Sequence, residues 1–263
     1  MSSTTENSAD RVVGAARVLA VLTELAEHPA GIALDDLTGI LGGSKSTVHR
    51  ALAALRAAGL AEQVSRGVYV LGDEFLRLAF LNSAGRPAAA RVEPILRSLA
   101  ERYGETAHFA VLDGPEIVYR AKVDPAGGAV RLTSEVGGRN PAYRTGVGKL
   151  LLALEVSSEE ELRRRLHGAD LVARTERTIT SIGALWEELQ TIKQRGYAVD
   201  DQENEPGINC IAVPFRLDPE LPAMGAISVS ALVFRMSLDQ LIAEERNIRS
   251  LVDGGLPGDA VDQ

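Results

Sequence analysis

Two groups of residues in this sequence have types and spacing that suit chemistry. The first is Ser44-Lys45-Ser46-Thr47-Val48-His49-Arg50, which sets hydroxyls, an ammonium, an imidazole and a guanidinium close together. Such side chains donate to phosphate oxygens and to base edges of duplex DNA. The second is spread along the C-terminal half: Asp200, Cys210, Ser228 and Ser230, with His108 and His167 upstream. A cysteine or serine next to either histidine would form an activated nucleophile, so an enzyme using Cys210 is one alternative. Motifs argue against it. There is no GxSxG elbow, Gly146-Val147-Gly148-Lys149 is only the tail of a phosphate loop, and no dinucleotide fingerprint follows a strand. Cys210 lies in an apolar stretch, where a lone cysteine is more often a small core residue than a reactive thiol. With 1 Cys there is no internal disulfide or multi-cysteine zinc cluster, and the 4 His residues have no HExxH spacing. No catalytic residue, metal or cofactor is expected.

The elements that would position the first group can be read from hydrophobic spacing. Val18, Val21, Leu22 and Leu25 share one helical face over residues 14–27, and His28-Pro29-Ala30-Gly31 ends that helix. A second, short helix carries Leu34, Leu37 and Leu41, with Asp35 and Asp36 where the helix dipole favours acids, and stops at Gly42-Gly43. Ser44 then stands as the N-cap of a third helix, in which Val48, Ala51, Leu52 and Leu55 point inward and Gly59 closes the end. Its outer face keeps Ser46 and Arg50 at the centre, with Thr47 and His49 beside them. Residues 59–72 follow as two short strands about a Ser65-Arg66-Gly67 turn. Short helix, tight turn, polar-faced helix and basic-tipped hairpin make a winged helix-turn-helix over 11–72, whose third helix enters the major groove. A three-helix protein-interaction module is the alternative.

Charge sharpens where contact with DNA is possible. The chain of 263 residues has a formal net charge of -8, so it is not coated in basic residues for non-specific binding. Between Ser44 and Tyr69, however, Lys45, Arg50, Arg56 and Arg66 face only Glu62. Residues 73–86 carry Phe75, Leu76, Leu78, Ala79 and Leu81 with little polar surface between them, a linker helix suited to pairing with its copy in a homodimer. A dimer would fix two recognition helices for a two-fold symmetric operator. Packing of that helix on its own C-terminal domain is the other reading. At 45% hydrophobic and 24% charged the composition is globular. With no apolar run long enough to span a bilayer and no signal-peptide core, a cytoplasmic location and no membrane partner are expected.

From Pro87 onward the pattern changes. A helix over 87–103 leads into a hairpin at Thr106–Leu112 and Glu116–Lys122; further strands are expected at Ala129–Thr133, Gly196–Asp201, Asn209–Phe215 and Met224–Leu232. Helices fall at about Gly146–Leu154, Ser158–Leu166, Ser181–Arg195 and Ser237–Val252. The fold class is α+β: a winged helix-turn-helix, a linker helix, and a GAF-like α/β domain over 87–255 with a mostly antiparallel sheet that can hold a pocket. Arg139, Tyr143 and Arg144 stand near the glycine turn as sources of charge or stacking, with a solvated loop residue as the alternative for Arg144. Lys149 is placed on the outside of its helix.

The chain resembles the IclR family of bacterial regulators along nearly its whole length. The resemblance rests on STVHRALAALRAAGL with the GVYVLG wing, RTGVGKLLLA, GYAVDDQENEPGINCIAVPF and GAISVSA, in that order. It implies a transcriptional repressor of a catabolic operon, with a ligand-dependent activator as the alternative, and a homodimer or dimer of dimers (homotetramer). Ser44, Lys45, Ser46, Thr47, His49, Arg50 and Arg66 would meet double-stranded DNA. Gly146, Val147, Asp200, Cys210, Ser228 and Ser230 would meet a small organic acid effector. Amides opening the helix at Gly146 suit a carboxylate. Asp200 would repel an anion, so it either reads a ligand hydroxyl or holds its loop, and Cys210, Ser228 and Ser230 either contact ligand or pack.

Overall fold

The computed structural model describes residues 6–84, 87–127, 132–166, 171–218 and 220–254. Contacts divide the chain into two units, Met1–Arg86 and Pro87–Gln263.

In the first unit, α1 (Glu6–Glu27), α2 (Leu34–Leu41) and α3 (Lys45–Ala57) close around Val21, Leu25, Leu37, Val48, Leu52 and Leu55, all buried. The apolar stripes at 3.6-residue spacing are what each helix has to hide from water. Two strands, β2 (Ala61–Ser65) and β3 (Val68–Leu71), form the wing hairpin, with Gly67 at φ +76 in the turn. The spacing argument did not anticipate β1 (Ile32–Ala33), which pairs with Tyr69 and Val68 to give a three-stranded sheet in the order β1-β3-β2. At two residues it is too short to show any period. Gly72 must be glycine, since a Cβ there would lie 2.1 Å from the Gly59 carbonyl oxygen. After it comes α4 (Asp73–Ala84).

The second unit is built on one antiparallel sheet. After α5 (Pro87–Tyr103) come β4 (Thr106–Asp113), β5 (Glu116–Val123), β6 (Arg139–Pro141), a 3-10 turn at Ala142–Arg144, α6 (Gly146–Glu155), α7 (Glu159–Arg165) and α8 (Ile182–Arg195). Then follow β7 (Ala198–Asp201), β8 (Ile208–Phe215), β9 (Gly225–Leu232), α9 (Leu238–Ala243) and α10 (Glu245–Asp253). The strand order is β6-β5-β4-β9-β8-β7, and every pairing is antiparallel. The expected strand at 129–133 falls largely outside the described residues; Leu132 and Thr133 are not in a strand. The outer strand on that side is Arg139–Pro141. The single helix expected over Ser237–Val252 is two, broken at Glu244.

Alternation along the strands sorts the side chains onto two faces. Phe109, Ile211, Val213, Phe215, Ile227 and Val229 pack against Val92, Leu96 and Leu99 of α5 and against Leu241 and Ile248 of α9 and α10. On the other face Ala110, Ile117, Ala212 and Ala226 meet α6, which packs in turn against Leu185, Leu189 and Ile192 of α8. Small residues there let α6 approach closely. Every residue of α6 from Gly146 to Ala153 is buried.

Candidate functional site

The register of the sheet sets out a polar floor. Asp200 of β7 pairs with Cys210 of β8, Cys210 with Ser230 of β9, and Ser230 with Thr106 of β4; one step along, Ser228 stands opposite His108. All these residues lie on the face that meets α6. At the end of that helix the floor borders a cavity of about 300 Å³, whose lining includes Gly146, Val147, Asp200, Cys210, Ser228 and Ser230. Asp200, Cys210, Ser228 and Ser230 are brought together because three antiparallel neighbours, β7, β8 and β9, keep one side-chain phase, and Gly146 and Val147 reach them from the start of α6. Residues 132–135, Arg139, Asn140, Arg144, Arg174, Asn204 and Glu205 complete much of the wall.

Helix α6 opens into this space. Thr145 caps it, its hydroxyl accepting from the Gly148 amide at 3.1 Å. The first amides, Gly146 and Val147, have no helical acceptor by position and find none elsewhere among the described residues. Gly148 makes the tight entry possible, because a Cβ there would sit 2.3 Å from the Ala142 carbonyl oxygen. Arg144 lines the cavity with its Nε donating to Asn204 Oδ1 at 2.9 Å. Arg139 also borders it but is held by Asp113 and Glu116. Tyr143 is part of the core, its hydroxyl donating to the Val172 carbonyl at 2.7 Å.

Of the two readings of Asp200, the structure shows the contact to its loop, and the residue also lines the cavity. Its Oδ1 accepts from the amides of Glu203 at 2.6 Å and Asn204 at 3.3 Å, so it holds the loop after β7, yet it also faces the cavity. Burial and the neighbouring Glu203 carboxylate raise its pKa to about 7, against the lowering effect of those amides and of Lys149.

Lys149 is a correction. Far from the outside of its helix, it is 1% exposed and ion-paired with Glu203, itself buried. The signal was present: GVGKLLLAL offers no polar face, so a lysine in it must enter the interior with a partner. Glu203 was missed for the same reason. Burial pushes its pKa up while Lys149 pulls it down, and its Oε2 has no hydrogen-bond partner.

Cys210, Ser230, His108 and Ser134 form a chain of polar contacts. The thiol donates to Ser230 Oγ at 3.0 Å, Ser230 lies 3.4 Å from His108 Nδ1, and His108 Nε2 lies 2.7 Å from Ser134 Oγ. Burial, with Lys122 nearby, lowers the His108 pKa to about 3, so the ring is neutral. Burial and Asp200 raise the Cys210 thiol pKa. A cysteine nucleophile needs the opposite, a thiolate beside a basic or protonated histidine. Ser228 is buried and has no hydrogen-bond partner among the described residues, although it lines the cavity.

On the first unit, Ser44, Lys45, Ser46, His49, Arg50 and Arg66 are exposed and Thr47 is half-buried. Ser44 caps α3, accepting from the Thr47 amide at 3.2 Å, and its hydroxyl also meets those of Ser46 and Thr47. Lys45 is paired with Asp35, but both are largely exposed, so the contact is weak and open to exchange with a phosphate. Arg50 and Arg66 have no ion-pair partner among the described residues. Sequence reasoning missed Arg17, which reaches from α1 to the carbonyls of Leu41 at 2.6 Å and Gly42 at 3.0 Å and so ties down the turn before α3.

Among the described residues no group of three or more His, Cys, Asp and Glu is placed to hold a metal, and no helix is long and apolar enough to cross a membrane.

A winged three-helix unit followed by a sheet domain with a polar cavity is the architecture of a DNA-binding regulator with an effector domain. Residues 14–65 match the IclR helix-turn-helix domain, and residues 85–252 match the model described as "Bacterial transcriptional regulator IclR C-terminal". The chain belongs to the IclR family of DNA-binding transcriptional regulators. It is 35% identical over 230 residues to the HTH-type transcriptional regulator BhcR of Paracoccus denitrificans (strain Pd 1222), covering 86% of this chain and 80% of that protein. Identity to the transcriptional repressor IclR of Escherichia coli (strain K12) is 32% over 230 residues, with 86% and 82% covered. The crystal structure of a transcriptional regulator from Rhodococcus sp. RHA1 superposes with a TM-score of 0.75 at 27% identity, covering 92% of this chain and 96% of that one.

Proposed function

We propose that the protein is a cytoplasmic repressor that binds a two-fold symmetric operator as a homodimer, alone or as a dimer of dimers, and is released by a small organic acid. The observation that carries the effector half is the convergence of Gly146, Val147, Asp200, Cys210, Ser228 and Ser230 on one cavity at the open end of α6. Two unpartnered amides at a helix N-terminus favour a carboxylate. Arg144 adds a cation at the wall, and an Asp200 that is partly protonated near neutral pH offers an entering anion less repulsion than an ordinary aspartate. Two features support the DNA half: the exposed polar face of α3, from Lys45 to Arg50, and Arg66 at the wing tip. Repression is the role of its relative, the transcriptional repressor IclR of E. coli.

The test pairs two measurements on purified protein. Fluorescence anisotropy with an operator duplex and a small-acid library identifies an acid that releases DNA. In the Ser228→Ala, Ser230→Ala variant, operator affinity is expected to stay at the wild-type value while the release response is lost. Wild-type release by the double variant would place the effector elsewhere.

A further inference from the structure

The start of α2 sits inside the surface proposed to meet DNA. Ala33 of β1 pairs with Val68 of the wing, and the Leu34 amide donates to the Gly67 carbonyl at 2.9 Å, so α2 begins against the turn that carries Arg66. From the other side Lys45, the first residue of α3, forms an ion pair with Asp35 of α2. The first turn of α2 thus lies between the recognition helix and the wing, and it brings two exposed acids, Asp35 and Asp36, to that place. Among the described residues, Lys45 is the only one of Lys45, Arg50, Arg56 and Arg66 with a carboxylate partner. The helix dipole accounts for an acid in this turn, where Ala33 provides no side-chain cap. Both aspartates serve that end, but only Asp35 is also aimed at Lys45.

Resting on the DNA-facing role proposed above for α3 and the wing, we infer that Asp35 is an affinity-setting residue of that surface. Its carboxylate competes with DNA phosphates for Lys45 and holds sequence-independent binding down. The pair itself is weak, because its side chains are 60% and 75% exposed. The cost arises in the complex. A phosphate that takes Lys45 comes close to the Asp35 carboxylate, inside the screening length of about 8 Å at physiological salt. Either Lys45 stays with Asp35 and neutralises no phosphate, or it changes partner and leaves beside the DNA a carboxylate that retains a counterion. In both cases each protomer releases about one cation fewer than an unopposed Lys45 would. Base-edge contacts are not involved, so the restraint acts on the part of the affinity common to all sequences. On a chain of net charge -8 it adds to an already weak general attraction for DNA.

The test titrates the full-length protein against a duplex of mixed sequence by fluorescence anisotropy, at salt concentrations between about 0.05 and about 0.2 M. Asp35→Asn keeps the size of the side chain and an acceptor oxygen while removing the charge. It is expected to tighten binding about fivefold to tenfold per protomer near about 0.1 M salt, and to steepen the slope of log K against log salt by about 0.9 per protomer. Asp36→Asn is expected to gain about twofold at most, with the slope unchanged, since its screened field does not engage Lys45. Lys45→Met is expected to weaken binding, and adding Asp35→Asn to it to gain no more than Asp36→Asn does. An equal gain from Asp36→Asn, or an undiminished gain from Asp35→Asn in the Lys45→Met background, would reduce the effect to net charge and overturn the role of Asp35. No gain from Asp35→Asn, where Lys45→Met does weaken binding, would overturn that role and leave Lys45 as a phosphate contact. If Lys45→Met changes neither affinity nor slope, Lys45 lies off the DNA surface, and the reading beneath the inference falls with it.

Discussion

Asp200 is held in place by two amides and shares the cavity with whatever enters it. Because burial raises its native pKa to about 7, well above the unfolded value, the native state keeps a proton that the unfolded chain has already lost. That contribution to stability is complete below the unfolded pKa of about 4 and disappears as pH rises through about 7. Between about pH 6 and about pH 8 the wild-type melting temperature should therefore fall relative to Asp200→Asn, whose amide oxygen can still accept from Glu203 and Asn204. Parallel melting curves for the two proteins over that range would contradict the protonated form. At the other end of the chain, Arg50 projects from α3 without an ion-pair partner among the described residues. Arg50→Ala should weaken operator binding by about 1–3 kcal/mol, the usual cost of one specific contact, with the melting temperature unchanged. Unaltered affinity in an anisotropy titration would remove Arg50 from the DNA surface.

Helix α6 is the element on which the second unit depends. It is buried on all sides and carries one charged residue into the interior, Lys149, whose pairing with Glu203 ties the helix to the loop that contains Asn204. The loop is constrained elsewhere too: Gln202 takes φ +61 and accepts from the Gly207 amide at 3.2 Å. Removing one partner of a buried pair strands the other, so Lys149→Met should cost about 3–5 kcal/mol of unfolding free energy. Replacing both, with Lys149→Met and Glu203→Leu, should recover much of that, because two apolar side chains need no partner. Chemical denaturation checks both values; a double variant no more stable than the single would mean that the pair is more than an electrostatic match. The positions of α6 and α3 were legible in sequence, from the glycine turn at Gly146, from Ser44 as a cap and from the apolar runs behind them. The orientation of Lys149 was not, because a lysine is placed outside by default unless the whole helix is recognised as buried.

On the scale of the molecule, α4 leaves Leu76, Leu78 and Leu81 between 47% and 60% exposed. Apolar side chains this exposed are unfavourable in water, and a second copy of the helix would cover part of them. Leu76→Glu with Leu81→Glu should convert the proposed dimer to monomer in light scattering and weaken operator binding by more than about tenfold, since two half-site contacts then lose their mutual effective concentration. A double variant that stays dimeric would assign the pairing to another surface. The local charge surplus makes this coupling important: one basic patch on a chain of net charge -8 has little non-specific attraction to draw on.

Periodicity and punctuation alone determined the two-part organisation, the helix-turn-helix with its wing, and the antiparallel character of the second sheet, because helices and strands must hide apolar stripes at periods set by the backbone. Ser228 and Ser230 could be placed on one strand face by the same rule. Only the tertiary structure decided that β7, β8, β9 and β4 lie side by side, so that Asp200, Cys210, Ser230 and His108 share one floor. Strand order depends on which pairings bury most surface together, and no single segment carries that information. The pairing of Lys149 with Glu203 and the reach of Arg17 to the turn before α3 belong to the same class. Each joins residues far apart in the chain through contacts that exist only once the fold has closed.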